Sequence, residues 1–288
     1  MARVVSAVDD RPVGVFDSGF GGLTVARALI DLLPGEQLVY VGDTARYPYG
    51  PRSAAEVRRY AEEIAEHLVA VEGVKMLVVA CNTAASAALE VLRDGCGVPV
   101  VGVVEPGLRA ALDATRQGRV GVIGTVGTIA SGSYQRAARE LAPEVELSCA
   151  ACPGFVEFVE RGDTDSDQVH VLAERLLSPL REVGVDTLLL GCTHYPFLAR
   201  TIADVMGRDV LLVSSAEETA FDVRQILEST GLRADPARHP EHRFLSSGDT
   251  AWFAGMGGRL LGPELARAHA VTFGRAGTGS SSRAGPTG

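Results

Sequence analysis

Two short apolar runs in this chain each end in a small residue followed by a cysteine. The first run, residues 76–80, leads to Cys81, and the second, residues 188–191, leads to Cys192. An apolar run of this length predicts a buried strand, whose carboxyl end would present the thiol and its polar neighbours to whatever lies beyond. The polar residues that directly follow the two cysteines are Asn82, Thr83, Thr193 and His194. Because both thiols are presented alike, the pattern raises the question of whether they face each other.

A second internal match supports a duplication within the chain. Residues 13–19 and residues 120–126 share a Val/Gly-rich pattern, and each is followed by small residues and a helical pattern. The offset between these segments nearly equals the offset between the cysteines, although short matches of this composition also arise by chance. The pattern predicts two copies of one α/β unit related by a pseudo-twofold axis, each offering one cysteine to a shared cleft.

Predicted strands and helices alternate along the chain. Examples are a helix over residues 52–71 that begins with a capping box of Ser53 and Glu56, a strand over residues 98–104 and a helix over residues 131–141. This alternation implies parallel sheets wrapped by helices, with ligands at the carboxyl ends of the strands. The expected fold class is therefore α/β, with two similar domains of mainly parallel sheets and an active site in the cleft between them.

Composition and net charge limit the cellular compartment and the classes of binding partner that we expect. The 288 residues are 46% hydrophobic, enough to bury a sizeable core and to form two domains. A net charge of −9 and a sequence pI near 5.2 argue against a surface for nucleic acid or for an anionic membrane. There is no apolar run of about 18 residues, and Asp9 and Asp10 lie where a signal peptide would be apolar. We expect a cytoplasmic protein whose five cysteines are reduced.

The position of the two thiols suggests acid/base chemistry. A thiol directly before a helix lies near oriented N–H groups and the positive end of the helix dipole, which favours the thiolate. A metal site is weakly supported, because Cys149 and Cys152 form a CxxC pair without a second pair or spaced histidines. Redox cysteines usually lie close in sequence, and a Cys-His hydrolase needs one nucleophile. Two matching thiols suit a reaction in which one removes a proton and the other returns a proton to the opposite face.

The polar residues near the predicted strand ends suit an amino-acid substrate. Short donors for a carboxylate are Ser18, Asn82, Thr83 and Thr193. Groups that could accept from an ammonium group, or tune the thiols, are Asp17, Asp43, Glu160 and His194. Each has a structural alternative: Asp17 can cap its own turn, His194 can be a satisfied interior imidazole, and the cysteines can be small buried hydrophobic residues.

Two further features of the sequence can be explained by local structure alone, without a functional role. Gly19, Gly21 and Gly22 lack the spacing of a dinucleotide-binding loop, so turn geometry is the more economical explanation for them. Tyr47 and Tyr49 either line a pocket or pack their proline-rich loop.

Four motifs together resemble the glutamate racemases, a family within the aspartate/glutamate racemase superfamily. The motifs are DSGFGGLT at residues 17–24, GD and PYG at residues 42–43 and 48–50, ACNTA at residues 80–84 and GCTHYP at residues 191–196. Weaker similarity extends from about residue 12 to residue 265. The resemblance implies interconversion of L-glutamate and D-glutamate without a cofactor or metal, supplying D-glutamate for peptidoglycan synthesis.

The resemblance also assigns roles to individual residues. The implied catalytic residues are Cys81, Cys192, Asp17, His194 and Glu160. The cysteines would be the two acid/base groups, and Asp17 and His194 would poise them. Glu157 lies one helical turn from Glu160 and is the alternative supporting acid. The residues implied to bind substrate are Asp17, Ser18, Asp43, Tyr49, Gly50, Asn82, Thr83, Thr193 and His194.

The family fold implies an inserted second domain. The first domain would comprise residues 1–104 and 214–273, and the second residues 105–213. Closure over the substrate would use a hinge near residues 104–106 and 213–215. The Gly/Ser/Thr-rich residues 274–288 have the composition of a disordered tail.

The sequence is also compatible with other functions and allows expectations about partners. An aspartate or other amino-acid racemase is the enzymatic alternative, and a binding or regulatory protein on an inactive scaffold is the alternative of another class. We expect glutamate as the small-molecule substrate and a homodimer, with neither a membrane nor direct nucleic-acid contact. Some glutamate racemases are reported to restrain DNA gyrase, and the acidic charge suits a protein partner better than DNA itself.

Overall fold

The computed structural model describes residues 8–273, in which strands and helices alternate. The strands are β1 (Val13–Asp17), β2 (Leu38–Gly42), β3 (Met76–Val79), β4 (Val100–Gly102), β5 (Arg119–Gly124), β6 (Glu146–Ala151), β7 (Thr187–Gly191), β8 (Leu211–Val213), β9 (Arg243–Ser246) and β10 (His269–Ala270). The α-helices are α1 (Leu23–Leu32), α2 (Ala54–Ala70), α3 (Asn82–Gly95), α4 (Val104–Ala114), α5 (Val126–Ala130), α6 (Ser133–Leu141), α7 (Phe155–Glu160), α8 (Asp167–Glu182), α9 (Ala199–Met206), α10 (Ala216–Thr230) and α11 (Thr250–Leu261). Short 3-10 helices cover Tyr195–Leu198 and Gly262–Leu265.

The strands form two parallel sheets that repeat one topology. The first sheet has the order β10-β9-β2-β1-β3-β4, and the second has the order β6-β5-β7-β8. Each observed strand pairing is parallel. The segment β2-β1-β3-β4 corresponds strand by strand to β6-β5-β7-β8, so the predicted α/β fold and its internal repeat are confirmed. Cys81 follows β3 and Cys192 follows β7, which are equivalent strands of the two sheets.

The first sheet draws its strands from both ends of the described chain, whereas the second uses one continuous stretch between residues 119 and 213. We refer to the two sheets and their helices as the first and second halves. This strand membership agrees with an inserted unit, and the exact domain boundaries stay a prediction. The predicted tail, residues 274–288, lies outside the described residues.

The strands that carry the cysteines are buried along their whole length. All residues of β1, β3 and β7 are buried, because helices cover both faces of each parallel sheet. This double burial explains why these strands appear in the sequence as continuous apolar runs instead of alternating patterns.

A buried ion pair anchors the start of the β3 strand. Nζ of Lys75, which is completely buried, lies 2.6 Å from Oε2 of Glu36 and donates to the backbone carbonyl of Asp9 at 2.6 Å. Oε1 of Glu36 accepts from the backbone N–H of Ala234 at 2.8 Å. The ion pair of Lys75 and Glu36 therefore holds four segments together, because it also binds the backbone at Asp9 and Ala234.

Several helix boundaries agree with the sequence pattern and others correct it. The capping box of Ser53 and Glu56 is confirmed at the start of α2. The predicted helix over residues 131–141 is wrong at its start, because Gly132 has φ 69° and separates α5 from α6. The predicted strand over residues 98–104 ends at Gly102, since α4 begins two residues later. None of the helices within residues 8–273 is long and apolar enough to cross a bilayer.

Candidate active site

Cys81 occupies the N-cap position of α3, at the carboxyl end of β3, and is only 4% exposed. Its Sγ lies 3.7 Å from Oγ of Ser18. Burial, followed by the negative charge of Asp17, raises the pKa of Cys81 to about 12, although backbone N–H groups of Ala84 and Ser18 act in the opposite direction. The expectation that the helix terminus favours a thiolate is therefore wrong for Cys81, because desolvation outweighs the helix N–H groups. Cys81 is a thiol at neutral pH.

Asp17 connects the two cysteine segments. Its carboxylate is completely buried, and Oδ1 accepts from the backbone N–H of Gly19 at 2.7 Å. The Ser18 hydroxyl, which contacts Cys81, lies 3.5 Å from the same oxygen. Oδ2 accepts from the hydroxyl of Thr193 at 3.1 Å. Asp17 thus caps its own turn and also links the first half to the residue directly after Cys192.

Cys192 lies beside a buried histidine that contacts an acid. Sγ of Cys192 lies 4.0 Å from Nδ1 of His194, and Nε2 of His194 lies 3.0 Å from Oε1 of Glu160. Burial opposes protonation of His194, but the hydrogen bonds with Cys192 and Glu160 prevail and raise its pKa to about 10. The imidazole is therefore protonated at neutral pH. Glu160, at the end of α7, is the acid brought to His194, whereas Glu157 is exposed on that helix.

The glycines of residues 19–22 allow the first half to approach the Cys192 segment closely. A Cβ added to Gly21 would lie 2.5 Å from Nδ1 of His194 and 2.6 Å from Oγ1 of Thr193. Gly22 is equally confined, because its added Cβ would lie 2.7 Å from Cβ of Asp17. Neither glycine has a positive φ. The explanation by turn geometry is therefore wrong for these two positions, which need glycine because a side chain would not fit.

Asn82 and Thr83 lie at the interface between the halves. Oγ1 of Thr83 lies 2.9 Å from Oγ1 of Thr125 and 3.2 Å from Oγ1 of Thr128. Nδ2 of Asn82 donates to the hydroxyl of Tyr134 at 2.9 Å. The residues that follow Cys81 therefore bind side chains of the opposite half.

Asp43 and Tyr49 belong to a separate network beside this site. The completely buried carboxylate of Asp43 accepts from the Ser247 hydroxyl at 2.6 Å, from Nε of Arg46 at 2.7 Å and from the hydroxyl of Tyr49. Gly50 joins the interface through its carbonyl, which accepts from the N–H of Gly127 at 3.0 Å. Both carboxylate oxygens of Asp43 accept from these three side chains, and neither contacts a thiol. The carboxylate of Asp43 therefore belongs to a different hydrogen-bond network from those of Asp17 and Glu160.

Aromatic side chains surround His194. The sequence left open whether Tyr47 lines a pocket or packs its loop, and it gave Phe20 no individual role. The ring of Phe20 packs edge-on against His194 with 5.0 Å between centroids, and Tyr47 lies 6.0 Å away. Tyr47 therefore packs against the site as well as its own loop. Tyr134 was also missed, although the glycine and serines before it resemble the start of a helix. No local pattern distinguishes Tyr134 from a residue of the hydrophobic core.

A family model described as Asp/Glu/Hydantoin racemase matches residues 21–220. The chain belongs to this family.

Members of this racemase family resemble the chain over nearly their full length. A curated protein named glutamate racemase from Acidothermus cellulolyticus is 56% identical over 255 residues, which cover 88% of this chain and 96% of that protein. The crystal structure of a glutamate racemase isoform from Bacillus anthracis is 43% identical with a TM-score of 0.85, covering 92% of this chain and 97% of that one. A glutamate racemase from Francisella tularensis, solved in complex with D-glutamate, is 32% identical with a TM-score of 0.85, covering 92% and 98% of the two chains.

Proposed function

We propose that this racemase interconverts L-glutamate and D-glutamate by a two-base mechanism with Cys81 and Cys192. The observation that carries the proposal is that the two thiols follow equivalent strands of a repeated unit and are connected through Ser18, Asp17 and Thr193. Similarity to proteins named glutamate racemase, one of them solved with D-glutamate, supports glutamate as the substrate.

The two thiols have different charged neighbours. A protonated imidazole 4.0 Å from Sγ of Cys192 stabilises negative charge on that sulfur. Cys81 stays a thiol, because it is buried next to the carboxylate of Asp17. We assign Cys192 as the base for one enantiomer and Cys81 as the acid that protonates the opposite face, with the roles exchanged for the other enantiomer.

Removal of an α-proton is difficult because this proton is far less acidic than any side chain. The transition state places negative charge on the substrate carboxylate, and hydrogen-bond donors in a site that excludes water stabilise that charge most effectively. Backbone N–H groups at the start of α3 and the hydroxyls of Ser18, Thr83 and Thr193 are donors of this kind. The carboxylate of Asp17 would accept from the α-ammonium group.

Substrate entry requires the two halves to separate. Cys81 is 4% exposed, Cys192 is 6% exposed and Asp17 is completely buried. Opening breaks the bond from Thr193 to Asp17 and the contact between Thr83 and Thr125. We propose that residues 104–106 and 213–215 form the hinge, since the chain passes between the halves at these two places.

Exchange of the α-proton in deuterated water tests the reaction. L-Glutamate should lose its α-proton NMR signal and give D-glutamate, whereas L-aspartate should not, and the reverse preference would make the chain an aspartate racemase. Cys81→Ser and Cys192→Ser should each nearly abolish racemisation, and near-normal turnover in either variant would refute the two-base assignment. Binding without any exchange would indicate an inactive scaffold.

The cellular role and the partners are further proposals. We propose that the enzyme acts in the cytoplasm as a homodimer and supplies D-glutamate for peptidoglycan. Expression in a bacterium that requires D-glutamate should restore growth, and the Cys192→Ser variant should not. A supercoiling assay with DNA gyrase and a thiol-dead variant would separate restraint of gyrase from racemisation.

A further inference from the structure

Tyr134 lies at the junction of the two cysteine segments. It is the second residue of α6, directly after the turn at Gly132, and its side chain is 1% exposed. Burial keeps the pKa of its hydroxyl well above the ordinary tyrosine value, so the side chain is a neutral phenol that can accept and donate.

The hydroxyl of Tyr134 fixes one side of the Asn82 amide. Nδ2 of Asn82 donates to this hydroxyl at 2.9 Å, which turns the carbonyl oxygen of the amide in the other direction. Asn82 is 2% exposed, and its Oδ1 has no hydrogen-bond partner among the described residues. A buried amide oxygen without a donor is unfavourable, and a ligand that supplies an N–H group would satisfy it.

The same ring contacts the segment that carries the other cysteine. A Cβ added to Gly191, the residue before Cys192, would lie 3.1 Å from the Tyr134 hydroxyl oxygen and 3.2 Å from its Cε2. Tyr134 therefore makes a hydrogen bond to the residue directly after Cys81 and lies beside the residue directly before Cys192.

We propose that Tyr134 is a positioning residue that holds Asn82 with its amide oxygen directed at the α-ammonium group of the substrate. This proposal rests on the proposed glutamate racemase function and adds the group that orients the substrate nitrogen. An ammonium group provides the missing donor, and the charge makes the hydrogen bond stronger than one from a neutral group. Loss of the phenol oxygen would leave the Asn82 amide free to rotate. Its Oδ1 would then point towards the substrate ammonium group for only part of the time.

Tyr134→Phe tests the proposal, because it removes the hydroxyl and keeps the ring. The measurements are KM and kcat for D-glutamate and the inhibition constant of glutarate, which has both carboxylates but no ammonium group. We expect KM for D-glutamate to rise about tenfold, with kcat within about threefold and the inhibition constant of glutarate within about twofold of the unsubstituted enzyme. Direct binding of D-glutamate to Cys81→Ser chains with and without Tyr134→Phe should give the same tenfold difference.

Tyr195→Phe is the matched control. Tyr195 is also completely buried near Cys192, but its hydroxyl donates to the carbonyl of Cys152 at 3.1 Å and not to Asn82. If Tyr195→Phe loosens the site as a whole, KM for D-glutamate and the inhibition constant of glutarate should rise by the same factor. A selective loss of affinity for D-glutamate is expected only for Tyr134→Phe.

The possible results separate this proposal from the assigned function. An equal loss of affinity for glutamate and glutarate in Tyr134→Phe, or unchanged affinity for both, overturns the role of Tyr134. Such a result leaves the racemase assignment intact if the unsubstituted chain still racemises glutamate. Failure of the unsubstituted chain to bind or racemise glutamate overturns both proposals.

Discussion

Oε1 of Glu160 lies 3.0 Å from Nε2 of His194, on the opposite side of the imidazole from Cys192. The ring is thus held between an acid and a thiol in the interior of the protein, where its positive charge is retained only because both neighbours stabilise it. The protonation of His194 therefore depends on both neighbours, and removal of either should lower its pKa.

Glu160→Gln should move the alkaline limb of the pH profile of kcat/KM to lower pH. The pKa of His194 is raised to about 10, and removal of the Glu160 charge lowers it towards the usual histidine value. The imidazolium then loses its proton at a lower pH, so kcat/KM for glutamate should fall about tenfold or more at pH 9 and less at pH 6.5. The pH profile of kcat/KM measures this shift. Glu157→Gln, on the exposed side of α7, should leave the limb in place.

Protonation of His194 also makes the free energy of unfolding depend on pH. Because folding raises the pKa of His194, protonation stabilises the folded chain fully below the ordinary histidine pKa, and this contribution is lost as the pH rises through about 10. Urea unfolding at pH 7 and pH 10 should show a smaller stability decrease in Glu160→Gln than in the unsubstituted chain. An equal decrease in both chains would contradict a charged His194.

Each cysteine variant should retain a different half-reaction. In Cys81→Ser, Cys192 is still paired with the imidazolium and can remove an α-proton, but no thiol is available on the opposite face. We expect slow α-proton exchange of one enantiomer without racemisation. Cys192→Ser should exchange the other enantiomer, and more slowly, because the pKa of Cys81 is about 12. Proton NMR in deuterated water on separate enantiomers measures both, and exchange of both enantiomers by one variant would refute the assignment of faces.

Gly21→Ala should damage catalysis more than folding. The added methyl group would lie 2.5 Å from Nδ1 of His194, so the loop or the imidazole must move. Overpacking of this kind costs about 1–3 kcal/mol, and the displacement falls on the residue that contacts Cys192. We expect kcat to fall at least about a hundredfold. Gly255→Ala is the control, because nothing lies within 4 Å of its added Cβ in α11 and alanine favours a helix by up to about 1 kcal/mol.

Lys75→Met should lower stability strongly. Removal of the ammonium group leaves the carboxylate of Glu36, 2% exposed, without its buried partner. Breaking a buried pair in this way costs about 3–5 kcal/mol. Arg11→Met is the comparison, since its pair with Asp9 is at the surface and should contribute less than about 1 kcal/mol. Chemical unfolding should give a large difference for Lys75 and a small one for Arg11, and similar values would contradict the role of burial.

The sequence contains enough information to locate the thiols but not their environment. Continuous apolar runs identify β3 and β7, and the residue after each run is fixed by chain direction, so Cys81 and Cys192 at strand ends could be predicted. The thiol state of Cys81 could not, because it depends on burial by segments far away in the chain. The partner of His194 was ambiguous for a related reason: α7 is a short helix that follows Gly154 at φ 93°, and only the folded chain decides which of its acids points inwards.

The bond from Thr193 to Asp17 has a consequence for how the enzyme admits its substrate. One oxygen of the Asp17 carboxylate accepts from a hydroxyl that belongs to the other half of the molecule. Opening of the halves breaks this bond, and in the proposed mechanism the substrate ammonium group would then take the place of the Thr193 hydroxyl as donor to Asp17 when the halves close. On this proposal the same carboxylate oxygen both holds the two halves together and binds the substrate nitrogen, so closure without substrate and closure over substrate compete for one acceptor.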